Sequence, residues 1–233
     1  MDGRMKSRAQ ELTWSEVGLF ALGAAAGALL GVWALSRMAA AMSVQAPGFW
    51  FISRAGGIVG YLLLWFSSAS GVLLSAKGVG GVIPKPVAYA VHNITSWLAL
   101  GFAAVHALAL LGDTVVPFSG VGVLVPFAAS YKPFLTGLGA LSMYFGILVS
   151  VTFYWKRLGR RTWRTIHTLS YLMFLAVTVH GVMLGSDSGT LIMRWIYLLA
   201  AGSVVFLTTY RILTAGASRK PALAEQLVRH GPA

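Results

Sequence analysis

Four histidines carry most of the chemical information in this chain. His92 and His106 stand 14 residues apart, His167 and His180 stand 13 apart, and all four lie within or at the ends of long apolar stretches. The fifth, His230, sits in a polar tail and reads as solvated. An ionisable side chain inside an apolar span is costly and signals function by default. A hydrogen bond between helices explains one such histidine well enough, but explains two pairs on two spans poorly. At about 1.5 Å rise per residue the two steps lift by about 21 and 19.5 Å, roughly two-thirds of a hydrocarbon core about 30 Å thick. If the two spans run in the same direction, the imidazoles fall at two levels, one from each span at each level. A haem iron at each level would then have two axial imidazoles, from His92 with His167 and from His106 with His180. The angular phase is uneven. Fourteen residues return to within about 40° of the starting face, whereas thirteen leave about 140° of misfit. The second histidine-bearing span must be strongly tilted, or leave regular helical geometry, or hold His167 in a loosened first turn.

Other chemistries fit less well. Zinc wants several ligands converging within about 2 Å of one ion, and these residues spread over two distant levels. The 233 residues contain no cysteine, which removes thiolate-held clusters, thioether-attached haem, disulfides and a cysteine nucleophile. The carboxylates Asp113 and Asp187 stand at span ends, and the others lie in the head and tail, which argues against a proton pump with an acid relay. No catalytic residue is assigned.

The elements that must position the histidines are membrane helices. The chain is 57% hydrophobic and 10% charged, with a mean hydropathy of +0.75; soluble domains average about 45–50% and 25%. Uncharged runs predict six spans, at about 17–36, 50–76, 87–111, 133–155, 164–185 and 190–212. The first is too long for a signal-peptide core and is taken as a retained helix. The uncharged stretch Thr114–Ser130 is interrupted by Pro117 and Pro126, and is expected on the outer surface or dipping back partway. With six spans and the amino terminus inside, 14 Lys and Arg residues fall on the cytoplasmic side, Lys156 to Arg164 among them. Arg37, Arg54, Lys132 and Arg194 remain outside. That is the bias of the positive-inside rule, so the +12 net charge reads as topology and lipid contact and not as a nucleic-acid surface. The expected fold is an all-α integral membrane protein: a cytoplasmic head 1–16, a six-transmembrane-helix bundle 17–212 and a basic tail 213–233, with both termini cytoplasmic. Gly23, Gly27 and Gly31, and again Gly56 and Gly60, have the four-residue spacing that lets helix backbones approach closely.

His-x13-His on the third span with His-x12-His on the fifth resembles the ferric reductase-like transmembrane domain family. The likeness covers about residues 50–210. It includes the run Arg54-Ala-Gly-Gly in the second span and Trp163-Arg164-Thr165-Ile166-His167 opening the fifth. The resemblance implies a six-helix core with two b-type haems, the inner held by His92 and His167 and the outer by His106 and His180. Electrons would pass from a cytoplasmic donor to an outer acceptor, a protein or a metal. The chain departs from the oxidases and ferric reductases of that family: about 21 residues follow the last span, and no G-x-G-x-x-G occurs. The donor is therefore expected to be a separate flavoprotein or membrane quinol, with any flavin on that partner. The nearest type is the haem-binding membrane subunit of the bacterial methionine sulfoxide reductase system, which implies the plasma (inner) membrane of a bacterium.

Arg54 and Arg194 stand near outer span ends against the charge bias, and are candidate partners for propionates of the outer haem; snorkelling to headgroups is the alternative. Asp113 and Asp187 each follow a histidine by seven residues, nearly two turns, which suggests an acidic outer vestibule or ordinary solvated helix ends. Lys156 to Arg164 would anchor topology and steer an acidic flavoprotein or bind flavin phosphate. Trp163 and Tyr171 read as interfacial or packing groups. Two rival functions remain from the residues alone, an accessory haem subunit of a larger respiratory assembly and a non-redox small transporter.

Overall fold

The computed structural model describes residues 47–75, 84–113 and 116–229. The predicted first span, its three glycines, and His230 lie outside the described residues. The described chain is all-helical, with no strand among its residues. It comprises α1 (Pro47–Ser75), α2 (Lys85–Ala109, prolonged by a tight turn Leu110–Gly112), α3 (Gly120–Leu124), α4 (Pro133–Tyr154), α5 (Gly159–His167), α6 (Leu169–Leu184) and α7 (Leu191–Arg229). Proline in the first turn starts α2 and α4, where its missing N–H costs no helical bond.

Five helical segments are long and apolar enough to cross a membrane: Gly48–Ser75, Lys85–Gly112, Pro133–Tyr154, Gly159–Leu184 and Leu191–Thr214. They match the second to sixth predicted spans within a few residues. Large apolar side chains such as Leu191, Ile192, Leu198, Val205 and Phe206 are exposed on α7, the surface expected of a helix facing lipid. The 116–132 segment is not a span. It contains only the five-residue α3, and the Tyr144 hydroxyl donates to the Leu124 carbonyl. Tyr144 is eleven residues into α4, and its side chain leans toward the start of that helix. The segment thus turns back alongside α4, on the order of 10 Å along its axis.

α1 is the hub, packed against α2, α6 and α7, while α4 lies against α6 and α2. α1 and α2 run antiparallel with Ser53 beside His106 and Ser67 beside His92. Gly56 and Gly60 sit where they meet: an added Cβ at Gly56 would lie 3.2 Å from the His106 backbone nitrogen, and at Gly60 3.4 Å from that of Ala103. The expected close approach is seen there. Midway between these ends is the core, Tyr61, Phe174, Ala200 and Val204. Its polar atoms are satisfied internally, as an apolar surrounding demands: Tyr61 bonds Thr178 Oγ1 at 3.3 Å, and the Trp65 indole donates to Ser203 Oγ at 2.8 Å.

The thirteen-residue phase problem is met in part by a break in the span. The fifth predicted span is two helices, broken at Thr168 immediately after His167. The Thr168 N–H is shared between the Arg164 and Thr165 carbonyls, both at 3.2 Å, and the Tyr171 N–H bonds the Thr168 carbonyl three residues back. Three-residue closures rotate the chain by about 120° per residue in place of about 100°. That is the direction of rotation needed, and one such turn supplies about 60° of the shortfall of about 140°.

Candidate functional site

Two imidazole pairs form, one toward each end of the bundle. His106 on α2 faces His180 on α6, with ring centroids 6.2 Å apart and planes at 86°. His92 on α2 faces His167 at the end of α5, also at 6.2 Å, with planes at 72°. His92 thus pairs with His167 and His106 with His180, so α2 and the α5–α6 span run in the same direction.

Three of the four rings are held by one device. The Nδ1–H of His106 donates to the Ser53 carbonyl at 2.7 Å, that of His92 to the Ser67 carbonyl at 3.0 Å, and that of His180 to the Leu135 carbonyl at 2.8 Å. Four residues after each carbonyl stands a glycine against the same ring. An added Cβ would lie 3.0 Å from His106 Nδ1 at Gly57, 2.9 Å from His92 Cε1 at Gly71, and 2.7 Å from His180 Cε1 at Gly139. The glycine clears a notch one turn along, and the carbonyl at its edge takes the imidazole proton. A carbonyl only accepts, so Nδ1 carries the hydrogen and the neutral ring keeps its lone pair on Nε2. This is the outer support that metal-ligating histidines generally have.

The serines add to it. Ser53 and Ser67 are 3% and 4% exposed, so their hydroxyls need partners inside the bundle. Ser53 Oγ donates to the His106 carbonyl at 3.0 Å and lies 3.0 Å from its Nδ1. Ser67 Oγ lies 3.2 Å from His92 Nδ1 and bonds Ser96 Oγ at 2.7 Å. His167 is held differently, stacked on Trp163 with centroids 5.0 Å apart and planes at 26°. Trp163, expected as an interfacial or packing group, is thus in direct contact with a site histidine; Tyr171 accepts a bond from Arg211 at 3.3 Å and ties α6 to α7.

The ring spacing suits a shared metal ion. Two metal–imidazole bonds of about 2.0 Å and two offsets of about 1.1 Å from ring centre to Nε2 span about 6.2 Å. Among the described residues His, Asp and Glu nowhere gather in threes. A planar macrocycle that fills the other coordination positions itself needs only the two axial ligands present at each level. The donor set therefore fits haem, with His92, His106, His167 and His180 as the residues that would hold it.

Arg54 makes a two-point ion pair with Asp187, through Nε and Nη2, and its guanidinium lies 4.9 Å from the Trp50 ring centroid. This pair fastens α1 to the α6–α7 turn at the end of the bundle that carries His106 and His180. Asp113 is buried. With one acid neutralised and the other enclosed, the two aspartates do not form an open acidic vestibule. Arg194 is exposed at the start of α7 and makes no ion pair among the described residues. Arg160, Arg161 and Arg164 are exposed on α5, beside the His92–His167 pair.

Ser53, Ser67, Gly71, Leu135 and Gly139, and the roles of Gly57 and Trp163 against the rings, did not emerge from the sequence. A signal for Ser53, Gly57, Ser67 and Gly71 is present: Ser-x3-Gly occurs twice on α1, 14 residues apart, the same step as His92 to His106.

The fold defines a multi-pass, all-α membrane protein. No family model matches the chain, and no curated protein or solved structure matches it either.

Proposed function

We propose that this chain is a b-type cytochrome of a bacterial plasma membrane, with six spans and both termini inside. It would carry electrons across the membrane from a separate flavoprotein or quinol donor to an outer acceptor. The observation that supports this best is the repetition: two histidine pairs at the same 6.2 Å spacing, on spans running in the same direction. When bound, haem supplies reversible one-electron iron chemistry.

The chain's own residues do the rest. His92 and His167 hold the inner level, His106 and His180 the outer. The Ser67, Ser53 and Leu135 carbonyls keep Nδ1 protonated and make the opposite nitrogen a better donor. The apolar helices exclude water between the levels, so reorganisation around a changing charge stays small. The exposed arginines of α5 give the donor-facing end a positive field suited to an acidic partner.

Absorption spectra of the purified chain test the reading. Two haems per chain with low-spin bis-imidazole bands are expected, and a colourless protein would favour the transporter instead. Arg54 offers a second check. A positive charge near an iron favours its reduced form, so Arg54→Ala, which leaves Asp187 unpaired, lowers the outer midpoint potential by on the order of 50 mV, less where solvent screens the pair. The inner potential, about 20 Å away along the helices, stays in place. Potentiometric titration reads both; an outer potential unmoved by the substitution removes Arg54 from the site.

A further inference from the structure

His167 differs from the other three imidazoles in how it is secured. His92, His106 and His180 each give Nδ1–H to a helix carbonyl, and each lies inside an unbroken helix. His167 has no hydrogen-bond partner among the described residues, and it is the last residue of α5, where the span breaks. Its support is the face of Trp163, one helical turn earlier. That indole is not pinned by a hydrogen bond either: its buried Nε1 has no partner among the described residues, and its ring meets Phe153 edge-on, at 5.9 Å and 61°. Against it lies an open groove with about 200 Å3 of space, lined by Thr152, Phe153, Trp155, Gly159, Arg160 and Trp163. Two stacked rings with no hydrogen bond to either side chain among the described residues, beside open volume and at a backbone break, are less restrained than the three clamped imidazoles.

We propose that the inner level is an exchangeable-ligand site, where His167 swings away with Trp163 and a small neutral diatomic such as carbon monoxide takes its coordination position. This rests on the haem reading above. The exchange would be redox-neutral: His167 would withdraw its Nε2 lone pair, the incoming ligand would supply one in its place, and His92 would keep its own. The outer level has no counterpart, because His106 and His180 are both clamped to carbonyls and backed by glycine notches. Trp163 is the positioning residue that sets how often His167 leaves.

The test is carbon monoxide binding to the dithionite-reduced full chain carrying both haems, followed by difference spectra and stopped-flow mixing. Wild type is expected to take up carbon monoxide on about half of its haem. Trp163→Ala does so about tenfold faster, the effect of losing one aromatic pair, and Trp163→Phe, which keeps a stacking face, returns the rate to within about twofold of wild type. No uptake by wild type or by Trp163→Ala overturns the proposal, as does equal uptake at both levels or an unchanged rate in Trp163→Ala. If Trp163→Ala does not fold, the wild-type stoichiometry decides alone. Failure of the haem reading itself is distinguishable, since the protein would be colourless before any gas is added.

Discussion

Replacing the four site histidines one at a time by alanine sorts the variants into two matched pairs. His106→Ala and His180→Ala each lose most of the outer haem and keep the inner one, so the chain retains about half of its haem. His92→Ala and His167→Ala lose the complementary half. The reason is geometric: each ring faces one partner at 6.2 Å, while the two levels are separated by about 20 Å of helix, so removing one imidazole leaves the distant pair untouched. Haem quantification with a two-step potentiometric titration reads the grouping. The backbone is little disturbed, because each freed carbonyl stands within a regular helix and keeps its own i+4 partner. Crossed grouping, with 92 matching 180, would falsify the parallel arrangement of α2 and the α5–α6 span.

The second large effect comes from a residue with no side chain. Gly139→Val places a Cβ 2.7 Å from His180 Cε1, closer than such atoms normally come, and its methyl groups crowd the ring further. The imidazole can rotate away, so the steric conflict itself is cheap. What the rotation gives up is the 2.8 Å bond from Nδ1 to the Leu135 carbonyl, and loss of such outer support typically lowers metal-site affinity about 10- to 100-fold. Gly139→Val is therefore expected to lose the outer haem selectively, with helical content unchanged by circular dichroism. Gly101→Ala serves as the control, since no atom lies within 4 Å of the added Cβ. Full outer-haem retention in Gly139→Val would mean that the notch does not support ligation.

Reading the sequence located the second to sixth spans because span length and apolarity are properties of the chain alone. The described residues reproduce those five within a few positions, and the charge bias, with two prolines interrupting Thr114–Ser130, separated the turned-back 116–132 segment from a true span. The four histidines were legible for a related reason: in an apolar run an ionisable group stands out against its surroundings. Their supports were not. Ser53 and Ser67 look like ordinary small polar residues, and Gly57, Gly71 and Gly139 like ordinary packing glycines, until the ring of another helix is seen in contact with them. Arg54 shows the same limit. Its charge marked it as in need of a partner, but Asp187 lies 133 residues away, and no local pattern connects the two.

The chain by itself thus determined an apolar, all-helical body and two histidine spacings that reach two levels, since rise per residue and hydropathy are local quantities. The tertiary structure decided what depends on neighbouring helices: the break at Thr168 that brings His167 round, the three carbonyl clamps with their glycine notches, the Arg54–Asp187 pair, and the stacking of Trp163 on the one ring that lacks a clamp. Each of these is a contact between segments far apart in sequence, and such contacts are set by how helix surfaces fit together, which only the packed bundle fixes.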